Sequence, residues 1–410
     1  MQKPLLLAFA VFTLQFLSAQ CSNGRYYNKI FQVESQTNVL YGNAMKFDSS
    51  YQDLKMNIYQ PKNDPFQRRP LIVLAFGGSF TAGLKESPDI LQLCDDFAKR
   101  GYVTATIDYR LGFEDGNDSD TNQFKALIRG VQDMKAAVRF FYKDASTINK
   151  YRIDTTQIFI GGVSAGGFIA LNYAYGKLDT LSKPAPPFAF PAVMALGGPE
   201  GNSGNPGYST KVKGVINLCG AIADTVWIMP NDPVLCGVHG TADDLVPCFY
   251  DSAQAAVSVE ASLFGSGDIR NRCQQIGLPQ SIYLFQGAGH VPFVLPIPLL
   301  PPASTYMDST IRVVRDFLYQ QVVCDSALIS GMEDVEEVNM NVYPNPFTEV
   351  LKVELANSNG DNMVEVFDVY GRMVAAQNSA VKQITINTSA WMSGIYLVKA
   401  GDVLVKVLKE

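Results

Sequence analysis

Six apolar runs, each bounded by turn residues, recur through the first three quarters of the chain: Leu71–Phe76, Tyr102–Ile107, Gln157–Ile160, Val212–Leu218, Val234–Val238 and Ser281–Phe285. Short continuous runs of this kind predict strands buried on both faces, as in a parallel sheet. Between them, apolar residues return at helical spacing. Phe124, Leu127, Ile128, Val131, Met134, Ala137, Val138 and Phe141 form one stripe, opened by Asp120-Thr121-Asn122. Other helices are predicted near Pro88–Lys99, Ala165–Tyr175, Pro247–Phe264 and Tyr306–Gln321. Leu54, Met56 and Ile58 alternate with polar neighbours and predict an antiparallel edge strand ended by Pro61. Strands alternating with helices predict an α/β fold, a three-layer sandwich around a mostly parallel sheet, across residues 20–325.

The pattern then changes. Glu333, Asp334, Glu336 and Glu337 mark an acidic linker at 326–337. Across 338–410, Val350–Leu355, Met363–Val369, Gln383–Ile386, Ile395–Lys399 and Val403–Leu408 alternate with period two and predict a small all-β sandwich. At the other end, Lys3, the apolar run Leu5–Leu17 and the small residues Ser18-Ala19 read as a signal peptide over 1–19. Cys21 invites a lipoprotein reading, but Gln20 stands where a small residue is wanted.

A hydrophobic fraction of 47% against 18% charged excludes blanket disorder, and a net charge of −6 argues against a nucleic-acid partner. Two histidines in 410 residues leave little for a His-rich metal site, and no metal or organic cofactor is expected. Seven cysteines in an exported chain predict a disulfide, with Cys248 and Cys273 the favoured pair because they bracket a predicted helix. The acidic loop at 114–120 reads as solvated, since Ala126 stands where a calcium loop needs an acid.

The chemistry converges on three positions in chain order. Gly162-Val163-Ser164-Ala165-Gly166 fits G-x-S-x-G and falls between a predicted strand and a predicted helix. A serine on that turn needs a neighbouring imidazole to take its proton, and the imidazole needs a carboxylate to hold its tautomer. His239-Gly240-Thr241-Ala242-Asp243-Asp244 offers Asp243 or Asp244 after one strand, and Gly287-Ala288-Gly289-His290 ends the next. His239 precedes the acid and reads as a strand-end packing residue. Phe76-Gly77-Gly78-Ser79-Phe80 ends an earlier strand with residues small enough for backbone amides to approach a substrate oxygen. A phosphate loop is excluded there because Gly83 is followed by Leu84-Lys85.

These residues, with DYRLGF (108–113), VQDMKAAVRFF (131–141) and HGTADDLVP (239–247), resemble the α/β-hydrolase superfamily in its carboxylesterase/lipase-like branch. The resemblance implies Ser164 as nucleophile, Asp243 as acid, His290 as base, and oxyanion amides from Gly78, Ser79 and Ala165. Phe76 departs from the His or Tyr usual at the head of the oxyanion motif. VYPNPF (342–347), VEVFDVYGRMV (364–374) and INTSAWMSGIYLVK (386–399) resemble the sorting domain of type IX secretion in Bacteroidota. That resemblance implies the secretion machinery as a partner and a secreted or cell-surface location.

The combined expectation is a secreted serine hydrolase of an uncharged carboxylic ester, small or polymer-borne. A serine exopeptidase and a non-catalytic binding protein are the alternatives. Phe80 and two residues of the apolar run 291–302, Phe293 and Leu295, are candidate pocket residues. That run either faces substrate or packs on its own core.

Overall fold

The apolar runs become strands that share one edge. In a computed structural model the elements of the larger unit follow in the order β1 (Val33–Met45), β2 (Tyr51–Pro61), β3 (Arg69–Ala75), α1 (Pro88–Lys99), β4 (Val103–Ile107), α2 (Asp120–Ser146), β5 (Ile153–Val163), α3 (Ala165–Tyr175), α4 (Ala189–Ala195), β6 (Gly214–Leu218), β7 (Val234–Gly240), β8 (Asp251–Ser252), β9 (Ser262–Leu263), α5 (Ser266–Ile276), β10 (Gln280–Phe285) and α6 (Ser304–Val322). The structure describes residues 24–114, 120–176, 189–252, 262–294, 304–322, 340–355, 362–368, 372–379, 383–400 and 403–410. The predicted signal peptide, most of the acidic loop and the predicted linker at 326–337 lie outside the described residues.

Eight strands form one sheet in the order β1-β2-β4-β3-β5-β6-β7-β10. From β4 to β10 every neighbouring pair is parallel. All seven residues of β3 are buried, as a central strand covered by helices on both faces requires. The five strands β3, β5, β6, β7 and β10 therefore end on one edge. The loops that carry Gly77–Phe80, Ser164, Asp243 and His290 all open there, at the place where open α/β sheets collect their sites.

Buried polar residues tie the crossovers to this frame. Arg110, just beyond β4, directs its Nε at Asp133 of α2 (3.0 Å) and its guanidinium at Ser203 (3.0 Å). Ser203 in turn donates to Asp133 at 2.6 Å. The pair satisfies charges that would be costly if buried alone, and it anchors the long connection between α4 and β6.

Two expectations for this unit need correction. β2 is not the edge strand, because β1 pairs antiparallel outside it. β1 opens with the polar stretch Glu34–Asn38 and faces solvent at many positions, so it leaves no buried-strand pattern in the sequence. The helix expected over Pro247–Phe264 is not formed at its ends: Asp251 pairs with Leu263 and Ser252 with Ser262 in a short antiparallel ribbon. The helix begins instead at Ser266.

That shift removes the expected disulfide. Cys94, Cys219, Cys236, Cys248 and Cys273 are all buried free thiols, and Cys21 and Cys324 lie outside the described residues. Cys248 sits against the start of α5, where a side chain on Gly265 would meet its carbonyl carbon at 2.6 Å. Cys273 lies two turns along α5, about 11 Å away by helix rise. A disulfide needs Cα atoms within about 7 Å.

The C-terminal unit, Ala327–Glu410, is all β. It contains β11 (Met340–Tyr343), β12 (Val350–Leu355), β13 (Asn362–Asp368), β14 (Met373–Ser379), β15 (Gln383–Asn387), β16 (Gly394–Ala400) and β17 (Val403–Lys409). The sheets β11-β12-β15 and β14-β13-β16-β17 are antiparallel. Leu351, Val353, Ile384, Val364, Val366 and Val398 from both sheets share one core. Period-two alternation put these residues on one face of each strand.

The frame around the shared edge leaves no room for extra atoms at the turn after β5. An added Cβ on Gly166 would lie 2.1 Å from the carbonyl oxygen of Ala75 in β3. Gly166→Ala should therefore destabilise the unit by at least about 1–3 kcal/mol, read as a lowered midpoint in denaturant unfolding.

Candidate active site

The turn after β5 holds Ser164 in a conformation that few side chains adopt. Its φ is 51° and its ψ −115°, directly before the first residue of α3. Such a backbone costs about 1–3 kcal/mol and persists only where its surroundings enforce it. Here the Ser164 amide donates to Leu218 O at the end of β6 (2.8 Å), and its carbonyl accepts from Phe168 N (3.0 Å). Gly162 and Gly166 supply the missing volume. A Cβ on Gly162 would stand 2.5 Å from the Ala75 carbonyl oxygen.

The imidazole of His290 bridges the serine and an acid. His290 Nε2 lies 2.9 Å from Ser164 Oγ, and Nδ1 lies 2.7 Å from Asp243 Oδ2. β7 and β10 are adjacent and parallel, so the loops that follow them meet. The approach is close: a Cβ on Gly240 would fall 2.2 Å from the carbonyl oxygens of both Ala288 and Gly289. Ala242 N donates to Ala288 O (2.9 Å) and Gly287 N to Thr241 Oγ1 (2.8 Å), which locks the two loops together.

Of the two candidate acids, Asp243 is the one brought to His290, whereas Asp244 is exposed. Asp243 Oδ1 accepts from the amides of Leu245 (3.0 Å) and Val246 (2.9 Å). Oδ2 faces a second imidazole as well, His239 Nε2 at 3.1 Å. Burial alone would raise the Asp243 carboxyl. Donors from His239 and His290 and the Val246 amide outweigh that and hold it well below the usual carboxylate range.

The loop after β3 reaches the same place. A Cβ on Gly77 would stand 3.2 Å from Ser164 Cβ, so this backbone lies against the serine. Gly78, Ser79 and Phe80 have φ of 130°, 51° and 61°, three left-handed residues in a row. The loop curls on itself, with Thr81 N and Ala82 N both donating to Gly78 O (3.0 and 3.1 Å). Phe76, the departure noted above, is buried and stacks on Tyr109 with ring centroids 4.4 Å apart. Tyr109 also donates its hydroxyl to Phe76 O at 3.0 Å, so this ring pair braces the loop from below. Ala165 begins α3, and the first amides of a helix have no carbonyl partner within it.

The predicted pocket residues part company. Phe80 is partly exposed on this loop and packs against Phe113 and Ala126. Phe293 is completely buried in the main core, and a ring without accessible surface lines no open pocket. Leu295 lies outside the described residues. His239 was not read from sequence as part of this cluster. The available signal was spacing: the turn at Gly240 returns the chain so that residue 243 faces residue 239. Among the described residues no group of three His, Cys, Asp or Glu side chains could hold a metal ion.

Two family profiles match parts of the chain. The family profile described as BD-FAE matches residues 56–221, which include the loop after β3 and Ser164 and stop short of Asp243 and His290. The secretion system C-terminal sorting domain matches residues 341–409. The human protein arylacetamide deacetylase-like 2 is 30% identical over 129 residues, a stretch that covers 30% of this chain and 28% of that protein. Among solved structures, the apo form of Thermogutta terrifontis esterase 2 is 20% identical with a TM-score of 0.49, covering 70% of this chain and 95% of that one. The same esterase phosphorylated by paraoxon is 21% identical with a TM-score of 0.49 and the same coverage. The chain is an α/β-hydrolase fold joined to a C-terminal sorting domain of type IX secretion, which addresses it to the cell surface or beyond.

Proposed function

We propose that the protein is an exported serine carboxylic-ester hydrolase with Ser164, His290 and Asp243 as its catalytic residues. The observation that carries the reading is the single imidazole, His290, within hydrogen-bond reach of both Ser164 Oγ and Asp243 Oδ2. Asp243 accepts the Nδ1–H, which leaves the Nε2 lone pair aimed at the serine hydroxyl. Ser164 Oγ attacks the ester carbonyl carbon as His290 Nε2 takes its proton. The resulting oxyanion is received by the amides of Gly78, Ser79 and Ala165; one such donor is worth about 3–4 kcal/mol in the transition state. His290 returns the proton to the departing alcohol and leaves an acyl-serine. Water then attacks the acyl carbon with His290 again as base, and the acid leaves with Ser164 regenerated.

An uncharged ester suits the surroundings of Ser164. Phe80 lies on the oxyanion loop, and Phe168 lies one turn along α3, packed against Ala221 and Val246. None of these side chains offers a charge to anchor an ionised substrate.

A fluorophosphonate probe should label the wild-type chain and leave Ser164→Ala unlabelled. Ser164→Ala or His290→Ala should each lower kcat for a p-nitrophenyl ester by at least about ten-thousand-fold, and the double variant should be no worse. Asp244→Ala should match the wild type.

The lowered Asp243 carboxyl also links stability to pH. Its folded value lies below its unfolded value near about 3.9, so its stabilisation is complete above that pH and is lost as pH falls through the folded value. The gap in melting temperature between wild type and Asp243→Asn should be widest near neutral pH and narrow steadily below about pH 4.

The sorting unit is proposed to be dispensable for chemistry. A chain ending near residue 328 should keep its esterase kcat and fail to leave the cell in a host with type IX secretion. Normal export of that truncated chain would refute the sorting role.

A further inference from the structure

We infer that His239 is a positioning residue that holds Asp243 in place for His290, through a chain of hydrogen bonds running Asn217–Ser266–His239–Asp243. The inference rests on the serine-hydrolase reading above and adds to it a second histidine on the far side of the acid.

His239 is the penultimate residue of β7 and has no accessible surface. Its Nε2 donates to Val246 O at 3.0 Å and lies 3.1 Å from Asp243 Oδ2, so Nε2 carries the hydrogen and shares it between the two oxygens. Its Nδ1 lies 2.8 Å from Ser266 Oγ at the start of α5. The hydrogen there is assigned by following the network back to its origin. Gly220 N donates to Asn217 Oδ1 (3.0 Å) while Asn217 Nδ2 donates to Gly220 O (3.1 Å), which fixes the amide's orientation. Asn217 Nδ2 also donates to Ser266 Oγ at 3.1 Å. Ser266 Oγ is thus an acceptor toward Asn217, and its hydroxyl hydrogen goes to His239 Nδ1. Every bond in the chain then points the same way, toward the carboxylate.

The consequence falls on Asp243. Its two oxygens take three full N–H donors, the Leu245 and Val246 amides on Oδ1 and His290 Nδ1 on Oδ2, while the shared His239 Nε2–H stands 3.1 Å from Oδ2. Donors thus face both oxygens, and rotation about χ2 would lose the amides on Oδ1 and the imidazoles on Oδ2. His239 does two things that a packing residue does not. It fixes Oδ2 on the line to His290 Nδ1, and it draws charge from the oxygen that His290 uses. The other titratable groups facing the acid are the thiols of Cys219 on β6's end and Cys248 beyond the acid loop. Burial pushes both up, Cys248 to about 11, so both are uncharged at neutral pH and leave the two imidazoles as the partners that matter.

Three variants of the full chain test this by steady-state kinetics on one p-nitrophenyl ester across pH, with fluorophosphonate labelling and melting temperature as checks on folding. His239→Leu removes the donor. It should lower kcat about 10- to 100-fold, the range for a hydrogen bond to a charged group, with KM unchanged. The acid limb of kcat/KM should also move to higher pH, because Oδ2 with one donor holds the His290 proton more tightly. His239→Gln restores an N–H near the Nε2 position and should recover kcat to within about threefold and return the acid limb to that of the wild type. Ser266→Ala frees the tautomer and should lower kcat by a few-fold, again without a change in KM. If His239→Leu does not fold, Ser266→Ala and His239→Gln carry the test. His239→Gln as poor as His239→Leu, or Ser266→Ala with wild-type kcat and acid limb, would overturn the role and leave His239 as packing. A wild-type chain that neither takes the label nor turns over any ester would instead sink the hydrolase reading, and this role with it.

Discussion

The site depends on how closely the backbone at the end of β3 approaches the turn after β5. The Ala75 carbonyl occupies the space that a Cβ would need on both Gly162 and Gly166, and Gly77 presses against Ser164 itself. These contacts exist only because three positions lack a side chain. They hold Ser164 in a backbone conformation that would relax in a looser fold, and they bring the amide-bearing loop beside its hydroxyl. The parallel sheet supplies the rest, since it ends β3, β5, β7 and β10 along the same edge.

Electrostatics completes what packing begins. Asp243 is a buried carboxylate, and burial alone works against its charge. Donors from two imidazoles and two backbone amides reverse that. The result is a buried acid that stays ionised. The same donors that keep it charged also keep it still. Fixed orientation and fixed charge are what an imidazole needs to stay in one tautomer.

Most of this frame was legible in the sequence because its signals are local. Buried parallel strands read as apolar runs, and Leu71–Phe76, Val234–Val238 and Ser281–Phe285 all coincide with observed strands. Ser164, an acid at Asp243 or Asp244, and His290 each follow such a strand, and the choice of Asp243 came from the family resemblance. What escaped was set by partners distant in the chain. β1 is held by pairing with β2 and exposes much of its length, so its sequence carries no continuous apolar run or regular alternation. Residues 247–264 have apolar positions that suit a helix, yet both ends join a ribbon. β11 is short, and β14 is largely exposed polar or small residues, which leave little alternation to read. His239 looked like packing because its partner Ser266 comes from another element, and nothing in a linear reading brings the two together. The expected Cys248–Cys273 bridge failed for a related reason: it assumed a helix between them that starts only after Gly265.

The buried thiols carry a meaning for how the protein reaches its destination. Burial pushes Cys94 and Cys273 up to about 12, and Cys219 and Cys236 higher still, so almost none of their sulfur is thiolate at physiological pH. Exchange with an oxidant requires thiolate and access, and these side chains have neither. Once the larger unit is folded, these four cysteines are therefore shielded from thiol–disulfide exchange. For these four cysteines the folded unit behaves alike in reducing and oxidising surroundings.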